Sequence, residues 1–151
     1  MLTETGGEAL ARACANAMFS RDHAAQSLGI RLEEAREGYA RLRMLVRDDM
    51  VNGHAIAHGG MVFTLADAAF AYACNSRNVP HVALQASISF TAPGRLGETL
   101  VAEGREITLA GRTGVYDVVV RTESGSPVAL FRGTCYRIRG TVLDDPAAVV
   151  P

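Results

Sequence analysis

The segment from Asn52 to Asp67, NGHAIAHGGMVFTLAD, contains the groups in this sequence best suited to attack on an activated carbonyl. Glycines at positions 59 and 60 expose backbone N–H groups, which stabilise negative charge as it develops on a carbonyl oxygen. Asp67 follows in an alanine-rich apolar run, and no Lys or Arg lies within eight residues of it. Burial without a basic partner raises the pKa of a carboxyl group, as is typical of a catalytic acid, base or nucleophile.

Both features also have structural interpretations. The glycine pair can make a tight turn from a loop into a helix, and a lone helical Asp can face solvent. However, no Ser, Thr or Asp immediately precedes the predicted helix, so its first N–H groups lack a side-chain cap at the positive end of the helix dipole. A ligand oxygen can satisfy such groups. We therefore predict that the Gly59 N–H polarises a carbonyl, that Gly60 contacts the substrate and that Asp67 acts on it.

The spacing between Gly59 and Asp67 restricts how they can cooperate. Eight residues of α-helix span about 12 Å, which is too far for one carbonyl group to contact both residues of a single chain. If both act on one substrate, they must come from different subunits related by a two-fold axis. The sequence therefore predicts two active sites at the interface of a dimer.

Two polar side chains lie on the loop that approaches the helix. Asn52 can donate a hydrogen bond to a carbonyl or hold a water, and His58 can orient an acyl group or, when protonated, donate to it. Each also has an ordinary structural role, because Asn-Gly is a common turn sequence and loop histidines are frequent. His54 and His58 are four residues apart, but no helix is expected there and no third ligand is evident, so we expect no metal.

Residues further along the chain are candidates for holding an extended ligand. Phe90 and Pro93 fall where a predicted strand ends and, with Phe63 on the helix, are predicted to contact the substrate. Arg95 and Arg112 belong to a group of arginines in the C-terminal half that can bind a nucleotide phosphate. A solvated strand face remains the ordinary position for any one of these arginines.

Hydrophobic periodicity predicts an α+β fold around one long central helix. The predicted elements are a helix around 10–18, a short helix capped by Asp22, a hairpin over 30–46, the central helix over 59–75, and strands at 81–91, 99–109, 113–122 and 128–138. Alanine recurs on nearly every face of the central helix, which allows close backbone approach on all sides. A strongly curved sheet wrapped around this helix would use that property.

Composition excludes several function classes. The 151 residues carry a net charge of −1, so no basic field suggests nucleic acid. No apolar run is long enough to span a bilayer, and the N-terminus lacks the features of a signal peptide, so we expect a cytoplasmic location. Cys14, Cys74 and Cys135 match neither a disulfide framework nor a zinc spacing, and we expect buried free thiols.

The motifs resemble those of a known family. The runs NGH, HGG, FTLAD and FAYACNS between Asn52 and Ser76, with ALFRG at 129–133, are similar to the hotdog-fold acyl-CoA thioesterases of phenylacetate degradation, the PaaI family. The similarity covers roughly residues 24–140. We accordingly divide the chain into an N-terminal helical segment (1–28), a hotdog thioesterase domain with a long helix wrapped by a curved antiparallel sheet (29–140), and a loose C-terminal tail (141–151).

The resemblance also implies a function. It implies hydrolysis of phenylacetyl-CoA and hydroxyphenylacetyl-CoA to the free acid and coenzyme A, which is part of the substrate and product, so no separate cofactor is expected. Asp67 matches the catalytic carboxylate and Gly59 the residue whose N–H polarises the thioester carbonyl, while His58 and Asn52 complete the site. Dimers that join their sheets, and commonly a dimer of dimers, are implied. Whether Asp67 is a general base or a nucleophile stays open.

Two other functions use similar parts. A hotdog hydratase or dehydratase needs a His paired with the carboxylate to move protons, and the predicted helix offers none on the turn of Asp67. A non-catalytic acyl-CoA-binding protein would keep the carbonyl site at Gly59 but would have no use for Asp67. The sequence therefore favours a thioesterase over both alternatives.

Overall fold

The computed structural model describes residues 5–144, which form three α-helices and six β-strands. The helices are α1 (Gly6–Phe19), α2 (His23–Ser27) and α3 (Gly59–Cys74). The strands are β1 (Arg31–Arg36), β2 (Tyr39–Leu45), β3 (His81–Phe90), β4 (Thr99–Ala110), β5 (Thr113–Thr122) and β6 (Pro127–Arg137). The predicted order of elements is confirmed. Most of the predicted tail, from position 145 onward, lies outside the described residues.

The six strands form one antiparallel sheet in the order β1-β2-β4-β5-β6-β3. β3 pairs only with β6 within the chain, from His81 opposite Arg137 to Phe90 opposite Ala129. It is therefore an edge strand, although β4, β5 and β6 follow it in the sequence. A 3₁₀ turn at Asp48–Met50 leads into the loop before α3.

The sheet wraps α3, which packs against all six strands. A Cβ added at Gly104 of β4 would lie 2.9 Å from the carbonyl oxygen of Ala69 on α3. A Cβ added at Gly133 of β6 would lie 2.8 Å from the ring of Phe70. Small residues thus let the backbones of sheet and helix approach each other closely, and the predicted α+β arrangement of a long helix wrapped by an antiparallel sheet is confirmed.

The first two helices cover one edge of this arrangement. Thr5 and Glu8 form a reciprocal capping box at the start of α1, with their side chains on each other's backbone N–H. The Asp22 carboxylate caps α2 by accepting from the Ala25 N–H at 3.0 Å. α1 packs against β1. The division of the chain into segment, domain and tail stays a prediction.

Two further sequence-based expectations concern the cysteines and membrane-spanning helices. Cys14, Cys74 and Cys135 are buried free thiols, as predicted. Between residues 5 and 144, no helix combines the length and hydropathy that a membrane crossing requires.

Candidate active site

The start of α3 offers unsatisfied backbone donors. His58 occupies the N-cap position, and its side chain makes no capping hydrogen bond. The His58 carbonyl accepts from the Met61 and Val62 N–H groups at 2.9 and 3.3 Å. Among the described residues, the N–H groups of Gly59 and Gly60 have no acceptor. This end of the helix is therefore equipped to bind an electron-rich oxygen.

A cavity of about 410 Å³ opens beside Gly59. Its lining is largely apolar and consists of Ile56, Ala57, Gly59, Val62, Phe90, Thr91, Ala92, Pro93, Gly94 and Val128. Phe90 packs directly over Gly59, since a Cβ at that glycine would lie 3.0 Å from Cζ of the ring. The structure thus brings Gly59, predicted to polarise the carbonyl, together with Phe90 and Pro93, predicted to contact the substrate.

Asp67 is partly buried on α3 and, among the described residues, has no hydrogen-bond or ion-pair partner. Burial raises the pKa of its carboxyl group, and the negative charge of Asp22 raises it further. The expected shift of this pKa is therefore present, and it has the direction that suits a group exchanging protons near neutral pH.

Asp22 reaches the neighbourhood of Asp67 from the turn between α1 and α2. The buried Tyr72 on α3 donates its hydroxyl to Oδ2 of Asp22 at 2.8 Å, which ties that turn to the central helix. Burial and this contact raise the pKa of Tyr72, so its hydroxyl stays protonated. The sequence indicates Asp22 only as a helix cap, because nothing near it in the chain predicts a position close to a residue 45 places away.

The loop residues Asn52 and His58 occupy different roles in the structure. The Asn52 side-chain oxygen accepts from the N–H groups of His54 and Ile56 at 2.9 and 3.4 Å, which holds the loop in an Asx-type turn. His58 is exposed at the helix start, and its own N–H donates to the Met50 carbonyl at 2.8 Å. The turn interpretation of Asn52 is thus realised, and a catalytic role for either side chain stays a prediction.

Four other residues were predicted to contact the substrate, and not all of them lie beside the cavity. Gly60 is exposed beside Gly59, and Phe63 packs edge-on against Phe131 with ring centroids 5.4 Å apart. Arg95 joins the loop by a β-bridge with Ile56, which lines the cavity. Arg112 lies at the opposite end of the sheet, next to the paired ends of β5 and β6. A single chain therefore does not bring Arg112 to the Gly59 cavity.

The described residues hold no group of three or more His, Cys, Asp and Glu side chains arranged to bind a metal ion. The residues that line the Gly59 cavity include no His, Cys, Asp or Glu. The chemistry that the described groups offer is polarisation of a carbonyl by backbone N–H groups, together with proton transfer or attack by a carboxylate.

Comparison with known proteins agrees with this chemistry. Residues 54–129 match the thioesterase superfamily. The chain is 44% identical to the acyl-coenzyme A thioesterase PaaI of Escherichia coli over 128 residues, which cover 85% of this chain and 91% of that protein. The solved structure of the E. coli PaaI protein superposes with a TM-score of 0.87 at 43% identity, covering 89% of this chain and 97% of that one.

A further solved structure carries a ligand. A Streptococcus mutans protein bound to acetyl-CoA is 30% identical, with a TM-score of 0.70, and the match covers 72% of this chain and 88% of that one. The chain therefore belongs to the thioesterase superfamily. Within it, the sequence and the fold place the chain with the PaaI-type thioesterases. The predictions of a hotdog fold, of this family and of a thioester hydrolase are confirmed.

Proposed function

We propose that this protein hydrolyses acyl-CoA thioesters, with phenylacetyl-CoA and hydroxyphenylacetyl-CoA as its substrate class. The observation that carries the proposal is the uncapped start of α3 facing a largely apolar cavity. A thioester oxygen accepts from the Gly59 N–H, while the flat acyl group packs against Phe90 and the apolar walls. The similarity to E. coli PaaI supports the same chemistry.

The reaction needs a carboxylate on the far side of the thioester carbonyl. As a general base, Asp67 of the second subunit takes a proton from water, and the resulting hydroxide adds to the carbonyl carbon. The negative charge on the oxygen is stabilised by the Gly59 N–H until the C–S bond breaks and the thiolate of coenzyme A leaves and is protonated. As a nucleophile, Asp67 instead displaces the thiolate to give a mixed anhydride, which water then cleaves.

The dimer that this mechanism needs can form along β3. Val82, Leu84 and Phe90 on this edge strand are 47%, 63% and 55% exposed. An unpaired edge with exposed apolar side chains favours pairing with another strand. Antiparallel pairing of β3 with its own copy joins two sheets about a two-fold axis and lays two α3 helices side by side. Leu130, 49% exposed, alternates with the buried Phe131 and leaves an apolar position on the outer face for a dimer of dimers.

A panel of thioesters tests the proposal. Thiol release is followed with phenylacetyl-CoA, hydroxyphenylacetyl-CoA, benzoyl-CoA and a straight-chain acyl-CoA, before and after treatment with a metal chelator. We expect fastest release from the arylacetyl thioesters, unchanged by the chelator, and a loss of about 10³-fold in kcat for Asp67→Asn. Near-normal turnover by Asp67→Asn contradicts the assignment of Asp67.

The same assay separates the two rival functions and the two mechanisms. Binding of the thioester without thiol release indicates a non-catalytic binding protein, and a changed acyl chain still attached to coenzyme A indicates a hydratase or dehydratase. Single-turnover hydrolysis in ¹⁸O-labelled water distinguishes the roles of Asp67. Label in the Asp67 carboxylate indicates a nucleophile whose mixed anhydride is cleaved by water at the Asp67 carbonyl, whereas a general base acquires no label.

A further inference from the structure

The sheet leaves one face of α3 uncovered. Residues such as Leu65 and Ala69 are buried, but four residues on the other side of the helix are only half-buried, and we call them the open stripe: Phe63, Thr64, Asp67 and Ala71. Positions 63, 67 and 71 are four residues apart and position 64 lies three before 67, so all four lie along a single face of the helix. The open stripe therefore carries the proposed catalytic carboxylate and one large aromatic ring.

Phe63 lies midway between the two reacting groups of the proposed site. It follows Gly59 by four residues and precedes Asp67 by four. In the proposed dimer, two-fold symmetry brings Gly59 of each subunit to Asp67 of the other, so the two α3 helices run antiparallel. Residues that then face each other are equally far from position 63 in opposite directions. Phe63 therefore faces its own copy at the two-fold axis.

Buried aromatic rings support Phe63 from the side of the sheet. Phe63 packs edge-on against Phe131 with ring centroids 5.4 Å apart, and the Phe131 ring lies 5.7 Å from that of Phe70. Phe131 and Phe70 are both buried. A ring held by close-packed aromatic neighbours keeps its position when a ligand contacts its free face.

We propose that Phe63 and its copy form the partition between the two active sites of the dimer and set the longest acyl group that each site accepts. This inference rests on the proposed function, because it bounds the acyl end of the same substrate. Four residues of helix, about 6 Å, separate the Gly59 N–H from this partition. That length suits a compact arylacetyl group, whereas a longer acyl chain meets the ring of Phe63.

Cross-linking tests the position of Phe63 without any turnover. Cys14, Cys74 and Cys135 are buried, so a short bis-maleimide reacts with an introduced thiol in preference to them. Phe63→Cys should form covalent dimers, because a residue at the axis meets its own copy. Ala71→Cys, on the same open stripe, is the matched control, since its two copies lie about 24 Å apart along the helices and should not be joined.

Thr64→Cys keeps the Phe63 ring and guards against a folding defect in Phe63→Cys. Its two copies are offset by only about 3 Å along the helices, so covalent dimers are expected here too. Cross-linking of Ala71→Cys as complete as that of Thr64→Cys, or no cross-linking of Thr64→Cys, overturns the position assigned to Phe63.

Acyl selectivity tests the partition itself. Phe63→Ala is compared with the wild type on phenylacetyl-CoA and on 4-phenylbutanoyl-CoA, whose acyl group is longer. We expect the ratio of kcat/KM for the longer thioester to that for the shorter one to rise by about tenfold. The matched control is Met61→Ala, which removes another half-buried apolar side chain of α3 that the helix turns about 200° away from Phe63. This control should leave the ratio unchanged.

The two possible failures are distinct. An unchanged ratio in Phe63→Ala, or an equal rise in Met61→Ala, overturns the role of Phe63 in acyl selectivity. Hydrolysis of neither thioester by the wild type contradicts the proposed function itself, whereas the cross-linking pattern still determines where Phe63 lies in the dimer.

Discussion

Gly59 opens α3 and Asp67 lies eight residues further along the same helix, so about 12 Å of helix separates the free N–H from the carboxylate. The cavity at Gly59 is lined from the same chain by Phe90 and Pro93 but not by Asp67. The described part of one subunit therefore brings no carboxylate to the Gly59 cavity. The proposed mechanism accordingly takes Asp67 from a second subunit.

Asp67 should lower the stability of the protein at neutral pH. Burial is the main cause of the raised pKa of Asp67 in the folded state. The stability that the protonated carboxyl group contributes is therefore complete below the pKa of the unfolded state, and it is lost as the pH rises through the pKa of the folded state. We expect Asp67→Asn to raise Tm by a few degrees at pH 7 and to leave it unchanged well below pH 4. Calorimetry across this range measures the difference, and an equal gain at both pH values would assign it to another cause.

The pH dependence of catalysis should depend on Asp22. Because the proposed mechanism uses ionised Asp67, we expect kcat/KM to fall as the pH drops through its raised pKa, above the ordinary aspartate value of about 3.9. Asp22→Asn keeps a side chain that can cap α2 but removes the negative charge. We expect the acid limb of the profile to move to lower pH.

The control for this profile is Asp48→Asn, an exposed aspartate on the 3₁₀ turn. It should leave the acid limb in place. A limb that Asp22→Asn does not move contradicts an electrostatic role for Asp22, and a Tm measurement on the same variant shows whether the fold is retained.

Gly104 should be required for the contact between sheet and helix. A Cβ there would lie 2.9 Å from a backbone carbonyl oxygen of α3, which cannot move aside as a side chain can. We expect Gly104→Ala to lower the free energy of unfolding by about 1–3 kcal/mol. Gly6→Ala, where a Cβ meets nothing within 4 Å, is the matched control for denaturant unfolding. Equal stability of the two variants would show that sheet and helix are not in close contact at Gly104.

The edge strand β3 should control assembly. Leu84 is 63% exposed on this edge, and Lys at an unpaired edge opposes strand pairing. We expect Leu84→Lys to halve the solution mass and to lose activity in parallel. Leu45→Lys places the same charge on a half-exposed leucine of β2 and should change neither. A fully active Leu84→Lys variant of half the solution mass is incompatible with sites shared across β3.

The elements themselves were largely predictable because periodicity and turn chemistry are local. β5 occupies the predicted range of 113–122, and α3 ends one residue before the predicted Asn75. The close approach of Gly104 to Ala69 follows from the alanine-rich helix. The uncapped helix start at Gly59 and the raised pKa of Asp67 were also predictable, because the missing cap and the missing basic partner are readable from neighbouring residues.

The relationships between distant segments were not predictable. Nothing in β3 indicates that it pairs with β6 at the sheet edge while β4 and β5 take the centre, because strand order depends on packing of the whole sheet. For the same reason, Asp22 gave no sign of its contact with Tyr72, and Tyr136 none of its place beside three arginines.

Subunit complementation tests the shared site most directly. Gly59→Ala puts a methyl group into the carbonyl site next to Phe90 and should cost on the order of 100-fold in activity. Gly53→Ala, whose added Cβ meets nothing within 4 Å, is its control. Asp67→Asn should be inactive because it removes the proposed catalytic carboxylate. Co-expressed with separate tags, the two inactive variants form heterodimers in which Gly59 of one chain meets Asp67 of the other.

Purified heterodimers should recover about half of the wild-type activity, because one of their two sites is intact and the other carries both substitutions. Each homodimer should remain inactive. If Gly59 and Asp67 instead served one carbonyl within the same chain, every site in the heterodimer would carry one defect. Heterodimers no more active than the parent variants would therefore contradict a site shared between Gly59 of one subunit and Asp67 of the other.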